Sequence, residues 1–259
     1  MPTTKQRIRK LQRRIGVRAD GVIGPDTLTR LEGIVEGALG GGPTSDALLI
    51  ASKKSLDLIV RFEISSEAHY RRRLAQPTWP GASSGVTIGI GYDLGATSKS
   101  QIEKDWRGRI RDTELDRLLE TQGIKGAAAA PLIAGLRDIN VGLLEAKEVF
   151  YHSSLPTYAR KVRRIYAGAQ DLPGDAQGAL LSLVFNRGAA LSGGRRREMK
   201  AIVELVAARD LAGIASEIRS MKRLWVGLGL DGLLKRRDKE AKLVAGAERE
   251  YELSELVRI

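Results

Sequence analysis

Glu63 closes an apolar run, Ile59-Val60-Arg61-Phe62-Glu63-Ile64, and 22 residues later the chain reads Gly85-Val86-Thr87-Ile88-Gly89-Ile90-Gly91-Tyr92-Asp93. The first segment presents a carboxyl at the end of an apolar helix. The second reads as a short, glycine-punctuated β-hairpin with a hydroxyl, Thr87, and a second carboxyl, Asp93. These are the groups that hydrolysis of a glycosidic bond requires. One acid keeps its proton near neutral pH, and burial raises a carboxyl pKa; the other stays ionised, to steady an oxocarbenium-like transition state or orient water. A Glu near a helix C-terminus opposes the macrodipole, a placement better suited to a tuned functional group than to a surface residue. Thr87 has a plainer alternative as a β-branched strand residue. Asp93 has one as an Asx-type cap of the turn into Leu94-Gly95. Glu67, one helical turn on, is the competing carboxylate and reads as solvated. Gly85, Gly89 and Gly91 give the hairpin backbone freedom and room for a sugar chain to come close.

The pattern Glu63, then Tyr70, then Thr87-Ile88-Gly89-Ile90-Gly91 resembles the phage lysozyme (muramidase) family. That family places an Asp between the Glu and the Thr. Here Arg71 to Val86 holds no acidic residue and carries an insertion, Gln76-Pro77-Thr78-Trp79-Pro80-Gly81. Asp93 is the substitute, in a Glu…Thr…Asp order that resembles the pesticin-like muramidases. Two later segments extend the resemblance. Ala179 to Val184, ending Phe185-Asn186-Arg187-Gly188, looks like the family's central buried helix. Gly232-Leu233-Leu234-Lys235-Arg236-Arg237 looks like its late Gly-Leu-x-x-Arg-Arg element.

The resemblance implies catalytic Glu63, Thr87 and Asp93, and a cleft in which Tyr70, Tyr92 and Asn186 meet the sugar. Trp79 is a weaker candidate. Each aromatic could equally be core packing. The implied reaction is hydrolysis of the β-1,4 bond between N-acetylmuramic acid and N-acetylglucosamine, with no cofactor and no metal. If Thr87 and Asp93 hold water opposite Glu63, the bond breaks with inversion. Rival readings are a lytic transglycosylase, a wall-binding protein without catalysis, and a nucleic-acid-binding protein.

Positioning these residues takes a larger architecture. The expected fold is mostly α (α+β, lysozyme-like), a helical domain with a small β-hairpin lobe and a small N-terminal helical module. Ile8, Leu11, Gln12 and Ile15 form an apolar stripe, capped by Thr3 or Thr4. Asp20-Gly21 and Gly24-Pro25 mark turns, and Asp26-Thr27 starts a second helix through Leu28 and Leu31. Leu11-Gln12 followed by Asp20-Gly21-Val22-Ile23-Gly24-Pro25-Asp26-Thr27 resembles the peptidoglycan-binding domain family. The boundaries are thus 1–39 for a wall-binding module, 40–46 for a Gly-rich linker, and 47–259 for the catalytic domain. Within the last, a helix is expected over Ala47 to Phe62, and helical segments around Leu115–Leu119, Leu143–Phe150, Ala176–Val184, Ile202–Val206 and Ile214–Ile218. Pro156 is expected to interrupt the chain near Tyr158.

Composition narrows the class. The 259 residues carry a net charge of +12 and no cysteine, which excludes disulfides and thiolate chemistry. His69 and His152 lack any zinc-type spacing. No stretch approaches the roughly 18 apolar residues of a membrane span, and the N-terminus lacks a signal-peptide core. The expectation is a monomer made in a host cytoplasm and acting on the wall after release. The basic charge suits peptidoglycan and an anionic outer-membrane surface as partners. No zinc-finger or aromatic RNA motif argues for nucleic acid.

Overall fold

A computed structural model describes residues 3–15, 19–22, 24, 27 and 47–259. The chain divides into two compact units, Met1–Asp46 and Ala47–Ile259. In the first, helix α1 (Thr4–Ile15) opens on a reciprocal cap. The Thr3 hydroxyl accepts from Gln6 N at 3.3 Å, and Gln6 Oε1 accepts from Thr3 N at 2.8 Å. Gln12 is fully buried. Its amide donates to Asp20 Oδ1, Val22 O and Thr27 Oγ1 at 2.8–3.0 Å, and its carbonyl accepts from Gly21 N at 2.8 Å. Gln12 of the Leu-Gln…Asp-Gly motif therefore clamps a turn onto the helix. Gly21 sits at φ +83°, and an added Cβ would stand 2.7 Å from Lys5 Cγ. Apart from Thr27, the expected second helix lies outside the described residues, as does the Gly-rich linker.

The second unit is mostly helical, with a small hairpin. Strand β1 (Ile50–Ser52) pairs antiparallel with β4 (Leu256–Arg258), so the two ends of the unit close on each other. This corrects the expected helix from Ala47. The helix α2 (Lys53–Ile64) starts only after Ser52, whose hydroxyl caps Ser55 N. It stops at Ser65, which takes φ +59° and donates its N–H to Arg61 O at 2.9 Å. A short helix α3 (Glu67–Arg73) follows, capped by Ser66. Glu67 is exposed and paired with Arg71 at 2.7 Å, as a solvated residue.

The hairpin is β2 (Thr87–Ile88) and β3 (Tyr92–Asp93). Then come α4 (Lys99–Trp106), α5 (Asp112–Leu119) and a 3-10 segment, Gly126–Leu136. Next, α6 (Leu143–Val149) runs through a π-turn, Phe150–Ser154, into α7 (Leu155–Ile165). Pro156 does not interrupt this path. It occupies the first turn of α7, where its missing N–H costs little, and the irregularity falls upstream in the π-turn.

Helix α8 (Gly174–Arg187) is the centre of the core, with every residue from Gly174 to Val184 buried. It packs against β1, α2, α7 and α11 (Asp231–Ala245). Helices α9 (Arg197–Ala207) and α10 (Leu211–Ser220) complete the layer outside α11. Polar groups lock the start of α8 to β1. Gln177 Oε1 accepts from Ile50 N at 2.7 Å, and Asp175 accepts from the Ser52 hydroxyl and from Arg249.

A buried ionic cluster ties α2, α8 and α11 together. Arg236, Arg237 and Glu240 of α11 are 3%, 0% and 0% exposed. Glu240 Oε1 accepts from the Ser182 hydroxyl at 2.6 Å, Arg237 at 2.8 Å and Arg236 Nε at 3.2 Å. Arg236 continues to the Ser182 carbonyl at 3.2 Å and to Glu63 Oε1 at 2.7 Å. Burial pulls the Arg237 guanidinium below its ordinary pKa, an effect that Glu240 partly offsets.

Two outcomes follow from this packing. Gly178→Ala places a Cβ 1.7 Å from Ser55 Oγ and 2.3 Å from Ser55 Cβ. Urea unfolding should show a loss of about 1–3 kcal/mol, the cost of overpacking a core. Glu240→Gln removes the anion from two buried guanidiniums. The same assay should show a loss of about 3–5 kcal/mol; a change within 0.5 kcal/mol, the scatter of surface substitutions, would show that the cluster is not holding these helices.

Candidate active site

Glu63 stands one residue before the end of α2, with its side chain 23% exposed. The apolar surroundings expected for it are only part of the picture. Phe62 is beside it, but the group in direct contact is the Arg236 guanidinium, which also lies 5.5 Å from the Phe62 ring centroid. Arg236 engages Oε1. Among the described residues, Oε2 has no hydrogen-bond partner and remains available to a ligand. The carboxyl lines a cleft of about 610 Å³ together with Asn186, Ser65, Leu230, Arg236 and Lys239. Asn186 is thus placed with Glu63, delivered by the last turn of α8 before Gly188 ends it at φ +73°.

The hairpin sets Thr87 opposite Asp93 in register. Thr87 exchanges both backbone hydrogen bonds with Thr78, at 2.8 and 2.9 Å. Toward Asp93 it therefore forms a non-hydrogen-bonded pair, the closer of the two antiparallel arrangements, with both side chains on one face. The Thr87 hydroxyl donates weakly to Gly85 O at 3.3 Å, and the residue is 9% exposed. Asp93 Oδ1 accepts from Gly85 N at 3.1 Å and Ala96 N at 3.2 Å. Asp93 therefore caps its turn. Its Oδ2 has no hydrogen-bond partner among the described residues, so capping leaves one oxygen for chemistry.

The hairpin glycines serve the protein's own packing before any ligand. A Cβ on Gly85 would lie 2.6 Å from the Gly95 backbone and 2.7 Å from Asp93 Oδ1. The cap on Asp93 exists because residue 85 has no side chain.

Tyr158 of α7 lines a cavity of about 300 Å³ together with Asp93. The Tyr158 ring packs on Phe185 with centroids 4.4 Å apart. Burial raises the pKa of its hydroxyl, and the negative charges of Glu63 and Asp93 raise it further. Glu63 and Asp93 line two different cavities, the first with Asn186 and the second with Tyr158, and come from elements 30 residues apart in sequence. Phe185 and Asn186 are adjacent at the end of α8. Asn186 lines the Glu63 cleft, and Tyr158, under Phe185, lines the cavity next to Asp93.

The two expected sugar-binding tyrosines are nearly buried, although Tyr92 still lines the cavity of Asp93 and Tyr158. Tyr70 is 1% exposed, and its hydroxyl donates to Val141 O at 3.1 Å. It is a core residue that holds α3 to the segment before α6, so its predicted contact with substrate is corrected here. Tyr92 is 6% exposed, donates to Asp105 Oδ2 at 2.6 Å and meets Trp106 edge-to-face at 5.4 Å. Burial and the Asp105 contact push its pKa well up, and its part in the site is to underlie Asp93. Trp79 donates to Ser84 O at 3.0 Å and braces its own loop. Sequence reasoning overlooked Tyr158, which carries no motif, and gave Arg236 no role beyond the motif containing it. Adjacent arginines on a helix that also buries Ala241, Leu243 and Val244 were the available signal. Among the described residues no cluster of His, Asp and Glu could hold a metal ion, and no helix is long and apolar enough to cross a membrane.

Residues 62–173 match the model of a domain of unknown function, DUF8812, a span that includes Glu63, the hairpin and α7. No curated protein matches the sequence. Among solved structures, the chain is similar to the active form of the P1 phage endolysin Lyz, at 16% identity and a TM-score of 0.45, over 85% of this chain and 97% of that one.

Proposed function

We propose that Ala47–Ile259 is a peptidoglycan hydrolase of the muramidase type, cleaving the β-1,4 bond between N-acetylmuramic acid and N-acetylglucosamine. The observation that carries this reading is the pair of cavity-lining carboxylates, Glu63 in the cleft with Asn186 and Asp93 in the cavity with Tyr158, each with one oxygen free of hydrogen bonds to the described residues. In this mechanism Glu63 gives a proton from Oε2 to the leaving glycosidic oxygen while the anomeric C–O bond breaks. Arg236 holds Oε1 and so fixes the direction of the acid. Water held by the Thr87 hydroxyl and Asp93 Oδ2 attacks the anomeric carbon from the other face and passes its proton to Asp93. Asn186 offers an amide to an N-acetyl group. Met1–Asp46 acts as the wall-binding module, and the net charge of +12 favours adhesion to the anionic sacculus. Attachment raises the local concentration of substrate.

Glu63→Gln keeps an oxygen for Arg236 but carries no transferable proton. Turbidity loss of outer-membrane-stripped cells should fall by ~10²–10⁴-fold while the far-UV spectrum and unfolding midpoint are kept. Full lysis by this variant contradicts the assignment. Deleting residues 1–46 should leave hydrolysis of soluble muropeptides near normal and weaken sedimentation with intact sacculi; equal pelleting of both forms would reduce the first unit to a structural appendage.

A further inference from the structure

Between the 3-10 turn Met221–Leu224 and α11 the chain reads Trp225-Val226-Gly227-Leu228-Gly229-Leu230. Trp225 is buried, yet Val226, Leu228 and Leu230 turn outward at 63%, 63% and 44% exposure. Gly227 and Gly229 take φ +78° and +69°, and Leu228 N donates back to Trp225 O at 3.1 Å. A Cβ at either glycine would meet nothing within 4 Å, so the left-handed turn itself calls for glycine. Single exposed aliphatic residues are ordinary on a protein surface, whereas a run of them on one turn forms a patch. The proposed reaction uses neither Val226 nor Leu228.

Cations border this patch. Leu230 lines the Glu63 cleft together with Arg61, Lys235 and Lys239. A second cavity, of about 440 Å³, shares Arg61, Phe62 and Lys239 with that cleft and adds Lys54, Lys242 and Leu243. A basic strip with an apolar floor therefore runs from Leu230 along the groove between α2 and α11. Its cations recur on single helix faces, Lys54 and Arg61 at i and i+7, and Lys235, Lys239 and Lys242 at i, i+4 and i+7. All five are exposed, and their side chains form no ion pair or hydrogen bond among the described residues. The local carboxylates do not balance them. Asp57 lies in the groove and Asp231 follows Leu230. The others are engaged already, Glu63 by Arg236 at 2.7 Å, Asp238 by Lys222 at 2.8 Å and Glu255 by Arg249 at 3.1 Å.

We propose that this face docks on an anionic phospholipid bilayer, with Val226 and Leu228 entering the acyl boundary and the strip of cations meeting headgroup phosphates. An apolar projection rimmed by Lys and Arg is the combination that holds a protein at such a surface, because acyl burial and headgroup attraction add. Four of the five cations are lysines, compact point charges on flexible stems, which suit mobile headgroups better than the fixed geometry of a protein carboxylate. A second copy of this chain would set the same unpaired cations against each other, on a molecule already at +12. Docking of this face does not depend on which bond the Glu63 cleft cleaves.

The test sediments the full chain with vesicles of phosphatidylcholine alone and of an equimolar mixture with phosphatidylglycerol. Wild type should pellet with the mixed vesicles and stay in the supernatant with phosphatidylcholine. Val226→Ser combined with Leu228→Ser should lower the partition coefficient roughly tenfold, and Lys242→Ser alone about fivefold. None of these residues lines the Glu63 cleft, so hydrolysis of soluble muropeptides should stay at the wild-type rate. A reporter separates insertion from mere adhesion. The added emission of Leu228→Trp should shift to the blue with mixed vesicles and be quenched by brominated acyl chains. Equal pelleting of wild type and the double variant, equal pelleting with both kinds of vesicle, or a Leu228→Trp signal indifferent to lipid overturns the docking face. So does a dimer abolished by Leu228→Ser in place of vesicle binding, which assigns the patch to a second copy. Vesicle binding by a protein that cleaves no glycan would retain the docking face and refute the hydrolase reading; cleavage without vesicle binding would do the reverse.

Discussion

The contact on which the rest of the site depends is the one from Arg236 to Glu63. Arg236 is buried on α11, fixed by Ser182 of α8 and Glu240 of its own helix, and it ends on the carboxyl of α2 at 2.7 Å. Three helices distant in sequence are therefore aligned by one planar side chain. Burying such a cluster costs several kcal/mol per ion, and its mutual attraction only roughly repays this. Apolar side chains of similar volume would hold the helices at least as well. What they would not supply is a fixed direction for Glu63, with one oxygen engaged and the other facing a cleft. Under the proposed mechanism, the geometry of Glu63 is a sufficient reason for placing ions where a core would otherwise be apolar.

The second carboxyl is held by a different kind of constraint, the backbone. Asp93 is directed by two N–H groups and by a strand pairing that sets Thr87 directly opposite. Gly85 and Gly95 make that arrangement possible, because a side chain at either would collide with the neighbouring backbone. The two carboxyls are thus fixed independently, one by a side-chain network and one by main chain. Beside Asp93's cavity, Tyr158 packs on Phe185 with ring centroids 4.4 Å apart.

Much of this was legible in the residues. The run Ala179–Val184 is apolar but for Ser182, and the structure buries it on every face. The glycine-punctuated segment 85–93 forms its hairpin. Glu63 and Asn186 line one cleft. The failures have physical causes. Strands β1 and β4 are three residues each and pair across nearly the whole second unit, so no local period announces them. Ser65 ends α2 in a left-handed conformation that no glycine foretold. Tyr70 and Tyr92 were placed in the cleft because a tyrosine offers sugar both a ring and a hydroxyl. Burial was possible for each because an acceptor waited inside, Val141 O for one and Asp105 for the other, and those acceptors come from distant elements. The ion pair on Glu63 spans 173 positions and was invisible for the same reason.

The central claim is that Glu63, Thr87 and Asp93 deliver a proton and a water to opposite sides of one bond, and the chemical form of the new chain ends tests it most directly. Purified sacculi digested with the protein should release fragments whose muramic acid ends are reducing and carry the added water, formed first as the α-anomer. Mass spectrometry separates these from 1,6-anhydro ends, which lack one water. Predominantly anhydro ends would contradict the account, because an intramolecular attack leaves Thr87 and Asp93 with no water to hold.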